Sequence, residues 1–339
     1  VKDNNLIRQV GNSIAEHCKR IGVNFNFAPV VDINTNPKNP IIGNRSFGES
    51  TENVSLKSLN LMYGQQDMNI LSSAKHFPGH GDTSTDSHKT LPFIGHDKQR
   101  IFNTELKPFQ SLIANGLESV MVAHLEVPSL ENIKGLPSTL SYSIVTSLLK
   151  NTLGFKGLII TDALEMKGLS NFKSNGNLDM LAFKAGNDVL LMSANVSEGI
   201  KSIVNEYNLG EITEERLSYS VKKILKAKYK VGLSNFLQIS KNNLYDDLNS
   251  LDNNLLYEEL VEKSISVVKN NDNILPIDNL NNTIGYLNFG NDEYMPFLGA
   301  LKKYSKIEHL NNLDILKSES VSFIESNYKT IIIGVHANS

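Results

Sequence analysis

Four short apolar runs, each leading into a polar or charged residue, constrain this chain more than any other feature. VNFNFAPVV (23–31) runs into Asp32, and NILSSAK (69–75) ends on Lys75 with His76 behind it. SVMVA (119–123) precedes His124, and GLIIT (157–161) precedes Asp162. A further run, NDVLLM (187–192), follows. The intervening segments carry helical periodicity. Residues 5–20, for example, space Leu6, Val10, Ile14 and Cys18 four apart with Ile7 alongside, and stop at Gly22. Strands alternating with helices at this spacing imply βα units and a parallel sheet. In a (β/α)8 barrel the strand C-termini share one face and build the active site there. The expected fold is therefore α/β, a TIM-type (β/α)8 barrel with polar groups delivered to one rim. About five strands can be counted, whereas a closed barrel needs eight. The first barrel strands are accordingly expected to lie ahead of Val1, leaving an open edge near residues 23–30.

Beyond the barrel-like part the pattern changes. EITEERLSYSVKKILKAKYKVGL (211–233) reads as a helix with Thr213 as N-cap, Glu214 and Glu215 in its first turn and Gly232 as its stop. Residues 234–256 are rich in Asn, Asp and Leu and read as a linker, and a second helix is expected around 256–268. TIGYLNFG (283–290) and TIIIGVHANS (330–339) read as buried strands flanking a helical stretch. The expected organisation is a barrel domain at 1–233, a linker with a helix at 234–275, and the beginning of a second α/β domain at 276–339.

Composition removes several classes of function. A net charge of -3 without any basic stripe argues against nucleic-acid binding. Cys18 is the one cysteine in the sequence, so neither an internal disulfide nor a cysteine-based zinc site can form. No apolar run approaches the roughly 20 residues of a membrane span. Val1 opens a polar segment without a signal-peptide pattern, which leaves the compartment open between cytoplasm and periplasm.

The chemistry concentrates in KHFPGHGDTSTDSHKTLP (75–92), where His76, His80 and His88 stand with Asp82 and Asp86. Such a segment is too polar for a core and too rich in Pro and Gly for a helix, so it is a loop. Loops this dense in titratable groups are usually there for chemistry.

KHFPGHGDTSTDSH, with GNRSFGE (43–49) before it and GFKGLIITDALEM (154–166) after it, resembles family 3 glycoside hydrolases, in their β-N-acetylglucosaminidase branch. APVVDI (28–33), PSTLS (137–141) and FKAGNDVLL (183–191) support the resemblance, which covers most of residues 1–233 and extends weakly into the family's αβα-sandwich second domain. The resemblance implies a retaining enzyme in which Asp162, at the end of a buried strand, is the nucleophile that forms a glycosyl-enzyme intermediate. Glu165, a helical turn further on, is the weaker alternative. It also implies that His88 is the acid/base, oriented by Asp86 in a dyad. Arg45, Lys75 and His76 would hold the sugar hydroxyls before the scissile bond. Asp32 and His124 receive supporting or structural roles, and His80 and Asp82 are expected to shape the loop. The family's sugar-binding Asp in an N-terminal DQEGG-like motif has no counterpart in this sequence.

The expected function is removal of non-reducing terminal GlcNAc from a small carbohydrate, a muropeptide or oligosaccharide derived from peptidoglycan. No cofactor and no metal is expected. A β-glucosidase or a phosphorolytic member of the same family is the near alternative. A barrel hydrolase using His76, His80, Asp82 and His88 as metal ligands is the alternative of another class. Against it, Pro78 and Gly79 prevent HFPGH from forming the helical i,i+4 histidine pair of zincins. A sugar-binding remnant without catalysis is the third.

Overall fold

The computed structural model describes residues 3–84, 91–169, 178–290, 294–310 and 317–336. The chain divides into two compact units, Val1–Ser264 and Ile265–Ser339.

The first unit is built on a parallel sheet of β1 (Phe25–Asn26), β2 (Leu71–Phe77), β3 (Ser119–Val122) and β4 (Leu158–Thr161), in the spatial order β1-β2-β3-β4. Every residue of β3 and β4 is buried, as expected of parallel strands covered on both faces. Val189 adds a single parallel rung beside Ile160, so the run at 187–192 continues the order by one position without forming a full strand. Sequential neighbours in one direction are the strand order of a barrel wall. The described strands do not close on themselves, and β1 has a strand partner on one side only. The strand expected over 23–31 is shorter than its apolar pattern. It pairs at Phe25 and Asn26, and after Pro29, which cannot donate to a ladder, resumes as a lone bridge from Val30 to Lys75.

Helices cover the outer face. α1 (Asn4–Arg20) starts where the Asp3 carboxylate accepts from the N–H groups of Asn5 and Leu6, and carries His17, Lys19 and Arg20 in its last turn. α2 (Thr51–Asp67) is capped by Ser50. The two helices touch backbone to backbone at Gly11 and Gly64, since a Cβ on Gly64 would lie 2.2 Å from the Arg8 carbonyl oxygen. α3 (Lys98–Asn103) and α4 (Lys107–Ala114) follow β2, and α5 (Ser143–Thr152), wound as a π-helix, follows β3. Phe77, Val120, Val122 and Ile159 from the sheet pack with Met62, Phe109, Leu112, Ile144 and Leu149 from the helices in one core. α6 (Leu178–Ala185), α7 (Val196–Asn208) and α8 (Glu214–Lys230) complete this side, and Thr213 caps α8 while Gly232 at φ 84° ends it.

The stretch 234–256 read as a linker is attached to the first unit, and the helix expected around 256–268 is present a few residues earlier; residues 234–264 belong to the first unit. They form α9 (Leu244–Leu248) and α10 (Leu251–Ser264) and run back along α1. Arg20 reaches the Asp247 carboxylate at 2.7 Å and donates to the carbonyls of Ser240 and Asn242, and Ser13 donates to Asn253. Hydrogen bonds hold this strap, with Ile239 packed over Gly22, and the compact first unit includes it up to Ser264.

The second unit has its own parallel sheet, ordered β6-β5-β7, from β5 (Ile284–Gly290), β6 (Ile307–His309) and β7 (Ile331–His336). α11 (Met295–Leu301) and α12 (Ser318–Asn327) connect the strands. Tyr286 is its largest fully buried side chain and hydrogen bonds to His336 at 2.8 Å.

Candidate active site

The sheet register sets the site. Val30 pairs with Lys75, Phe77 with Val122, and Val122 with Thr161. Asp32, His76, His124 and Asp162 therefore leave the sheet at the same end, the C-terminal rim where barrel enzymes do their chemistry.

Asp32 is the hub of this rim. Its side chain is fully buried and accepts from the backbone N–H of His76 at 3.2 Å, from that of His80 at 2.7 Å, and from His76 Nδ1 at 2.6 Å. Burial pushes the Asp32 carboxyl up. The charge and hydrogen bond of His76, with His80 behind them, outweigh this and hold it below the usual carboxylate range. With Nδ1 committed to Asp32, His76 presents Nε2 to the opposite side. The His80 ring stands edge-on to the His76 ring at 5.8 Å, and its Nδ1 meets the Thr83 hydroxyl at 2.8 Å. Burial lowers the His80 pKa, against the opposing field of Asp32. The loop passes so close to the exit of the first strand that a Cβ on Gly81 would lie 1.8 Å from the Ile33 carbonyl oxygen. Asp82 accepts from Thr35 at 2.9 Å and pairs with His96. Among the described residues no group of three or more His, Cys, Asp or Glu side chains is arranged to hold a metal ion.

The GNRSFGE segment is tied to the same hub. Ser46 donates to the Asp32 carbonyl at 2.6 Å, and buried Asn39 donates to the His80 carbonyl while accepting from the N–H groups of Ile41 and Ile42. Arg45 follows in a short 3-10 turn, exposed, and its charge is felt by Lys75. Lys75 lies between opposing fields: burial and Arg45 lower its pKa, whereas Asp162 and Asp32 raise it. Asp162 stands half-buried at the end of β4, with its N–H on the Val122 carbonyl at 2.9 Å and its Oδ1 accepting from the Ala163 N–H at 2.8 Å.

The structure thus brings Arg45, Lys75, His76 and Asp162 to one rim. Asp86 and His88 lie outside the described residues. Asp32, Ser46 and Asn39 hold this part of the rim together; Ser46 falls inside the GNRSFGE motif, whereas Asn39 lies outside every motif singled out in the sequence. A cavity of about 230 Å³ lined by Glu118, Lys156, Lys223, Lys226 and Lys230 lies at the opposite, N-terminal ends of β3 and β4, the end of a barrel usually concerned with stability.

Residues 1–227 match the family model described as the glycosyl hydrolase family 3 N terminal domain. The chain belongs to glycosyl hydrolase family 3. The N-terminal domain of this family is of TIM-barrel type, which accounts for the sequential parallel strand order. The chain is 33% identical over 317 residues to beta-hexosaminidase A of Pseudoalteromonas piscicida, an alignment covering 88% of this chain and 52% of that protein. It is 28% identical to a beta-N-acetylglucosaminidase/beta-glucosidase of Cellulomonas fimi, over 80% of this chain and 50% of that one. It resembles the solved structure of a family 3 beta-N-acetylglucosaminidase from Paenibacillus sp. str. FPU-7 with a TM-score of 0.76 and 30% identity, over 98% of this chain and 65% of the other. The chain spans about half the length of the curated relatives it matches. No helix among the described residues is long and apolar enough to cross a membrane.

Proposed function

We propose that this family 3 chain carries the sugar-binding and nucleophilic rim of a retaining β-N-acetylglucosaminidase, which removes non-reducing terminal GlcNAc from peptidoglycan-derived fragments. The observation that carries the reading is the register of the ladder, which brings Lys75 and His76 of β2 and Asp162 at the end of β4 to one rim, where the Asp162 carboxylate raises the Lys75 pKa against burial and Arg45. In a retaining mechanism the carboxylate attacks the anomeric carbon while fixed donors hold the sugar's hydroxyls. Asp162 suits the first role because its backbone is anchored to β3 and its Oδ1 is held by the next N–H. Lys75, Arg45 and His76 suit the second, His76 through its Nε2, since Asp32 engages Nδ1. Asp86 and His88 are assigned the acid/base step. The names of the relatives, beta-hexosaminidase and beta-N-acetylglucosaminidase, support the choice of glycone. The name beta-N-acetylglucosaminidase/beta-glucosidase keeps a glucoside as the second reading.

The test is turnover of chromogenic β-GlcNAc and β-glucoside substrates by the full-length protein, with a mechanism-based fluorosugar to trap the intermediate. Preference for the GlcNAc substrate and a label on Asp162 are expected. A label on Glu165 or Asp32 would overturn the assignment of the nucleophile, and preference for glucoside would overturn that of the glycone.

A further inference from the structure

We propose that His124 is a positioning residue for the Asp162 nucleophile, its imidazole standing in for the backbone rung that the sheet lacks beyond the end of β4. The inference rests on the reading of Asp162 as nucleophile. The β3–β4 ladder has its last paired rung at Val122 and Thr161, and the N–H of Asp162 still reaches the Val122 carbonyl. For Ala163 the partner on this side is a side chain: His124 Nε2 lies 3.0 Å from the Ala163 carbonyl oxygen. A carbonyl only accepts, so Nε2 carries the proton. Burial lowers the His124 pKa, with the Asp162 carboxylate acting in the opposite direction.

The same residue's N–H grips Asp162. Ala163 donates from its N–H to Asp162 Oδ1 at 2.8 Å while its carbonyl is held by His124. The Ala163 carbonyl shares a peptide plane with the Leu164 N–H, so holding that plane anchors the residue whose own N–H, on the other side of its Cα, meets the carboxylate. The next residue is tied from the far side, Leu164 N–H to the Leu191 carbonyl at 2.9 Å. The turn that bears the nucleophile is thus held from both flanks, by the imidazole on the β3 side and by the run at 187–192 on the other.

His124 is itself braced. It is 1% exposed, and its Nδ1 lies 2.6 Å from the Thr139 hydroxyl, which sits 2.6 Å from the Ala123 carbonyl oxygen. Asn187 donates to the Thr139 carbonyl at 2.9 Å, and Ser138 donates twice to the Leu125 carbonyl. PSTLS (137–141) therefore backs the imidazole that backs the nucleophile. His124 and Thr139 are buried, so an incorrectly placed group at that end of the brace has no solvent to replace its partner.

The two amide side chains separate position from polarity. Glutamine extends far enough to place an N–H near the site of Nε2, whereas asparagine places its amide near Nδ1, facing Thr139 and not Ala163. The experiment measures inactivation of the full-length protein by a mechanism-based fluorosugar with a good leaving group, resolving the maximal rate from the half-saturating concentration, alongside thermal unfolding. Wild type is expected to be labelled at Asp162. His124→Asn is expected to lose about 10–10²-fold in maximal inactivation rate, the cost of a misplacement of order 1 Å, with half-saturation unchanged. His124→Gln is expected to stay close to wild type. An unaltered rate in His124→Asn, or a loss in His124→Gln as large as in His124→Asn, would overturn the inference. A wild-type label elsewhere than Asp162 would remove the nucleophile reading and this inference together.

Discussion

Asp32→Ala is the substitution whose consequence can be worked most directly from the structure. It removes the acceptor of three donors, the N–H groups of His76 and His80 and the Nδ1–H of His76. The Asp32 side chain is 0% exposed and that of His76 is 8% exposed, so solvent cannot take over. A buried donor left without a partner costs about 1–3 kcal/mol. Three of them sum to roughly 3–9 kcal/mol, against a total of about 5–15 kcal/mol for a typical domain. The variant should melt at far lower urea concentration or fail to accumulate folded. Asp32→Asn keeps the volume and one acceptor, so it is the folded comparison. The pH dependence has a definite sign. The native carboxyl lies below its ordinary range, so near that range the native state binds fewer protons than the unfolded chain, and stability rises with pH. The contribution is complete above the ordinary carboxylate pKa of about 4 and is lost as pH falls from there through the lower native value. The difference in melting temperature between wild type and Asp32→Asn should shrink over that acidic window. An Asp32→Ala protein within about 1 kcal/mol of wild type would refute the hub.

Gly81→Ala should destabilise the first unit by about 1–3 kcal/mol or more, because the added methyl meets the Ile33 carbonyl rather than a movable side chain; an unchanged melting curve would count against that contact. His88→Ala should slow substrates with poor leaving groups by about 10²–10⁴-fold while a dinitrophenyl glycoside still reaches the intermediate, which azide then releases. Equal slowing of both substrates without azide rescue would take the acid/base role away from His88.

The rim was legible because each barrel strand announces itself as a short apolar run and the residue after it is where side chains meet. That offset places Asp32, Lys75, His76, His124 and Asp162 on one rim, and the resemblance to family 3 supplies their expected roles. The hub was not legible. Asp32 and His76 stand 44 residues apart, and nothing in a sequence says that one carboxylate will gather two backbone N–H groups and a ring nitrogen across that distance. The strap at 234–264 was hidden for a different reason. Its contacts include hydrogen bonds from Arg20 and Ser13 to carbonyls and amides, which leave no hydrophobic period, so polar composition alone suggests an unattached segment. His124 was visible as a strand-end histidine, but its direction depends on Thr139, fifteen residues on, whose hydroxyl looks like any other.

The sheet order also sets a scale. Lys75 and His76 leave β2, Asp162 leaves β4, and β3 stands between them. Neighbouring strands run about 4.8 Å apart, so the backbones bearing the sugar clamp and the nucleophile are separated by roughly 10 Å. That separation cannot be widened without tearing a hydrogen-bonded ladder, nor narrowed without removing a strand. For a sugar bound as proposed, clamp and nucleophile therefore stand on backbones whose spacing the ladder fixes. Changes of linkage or leaving group would have to be accommodated by the loops above the rim rather than by the sheet.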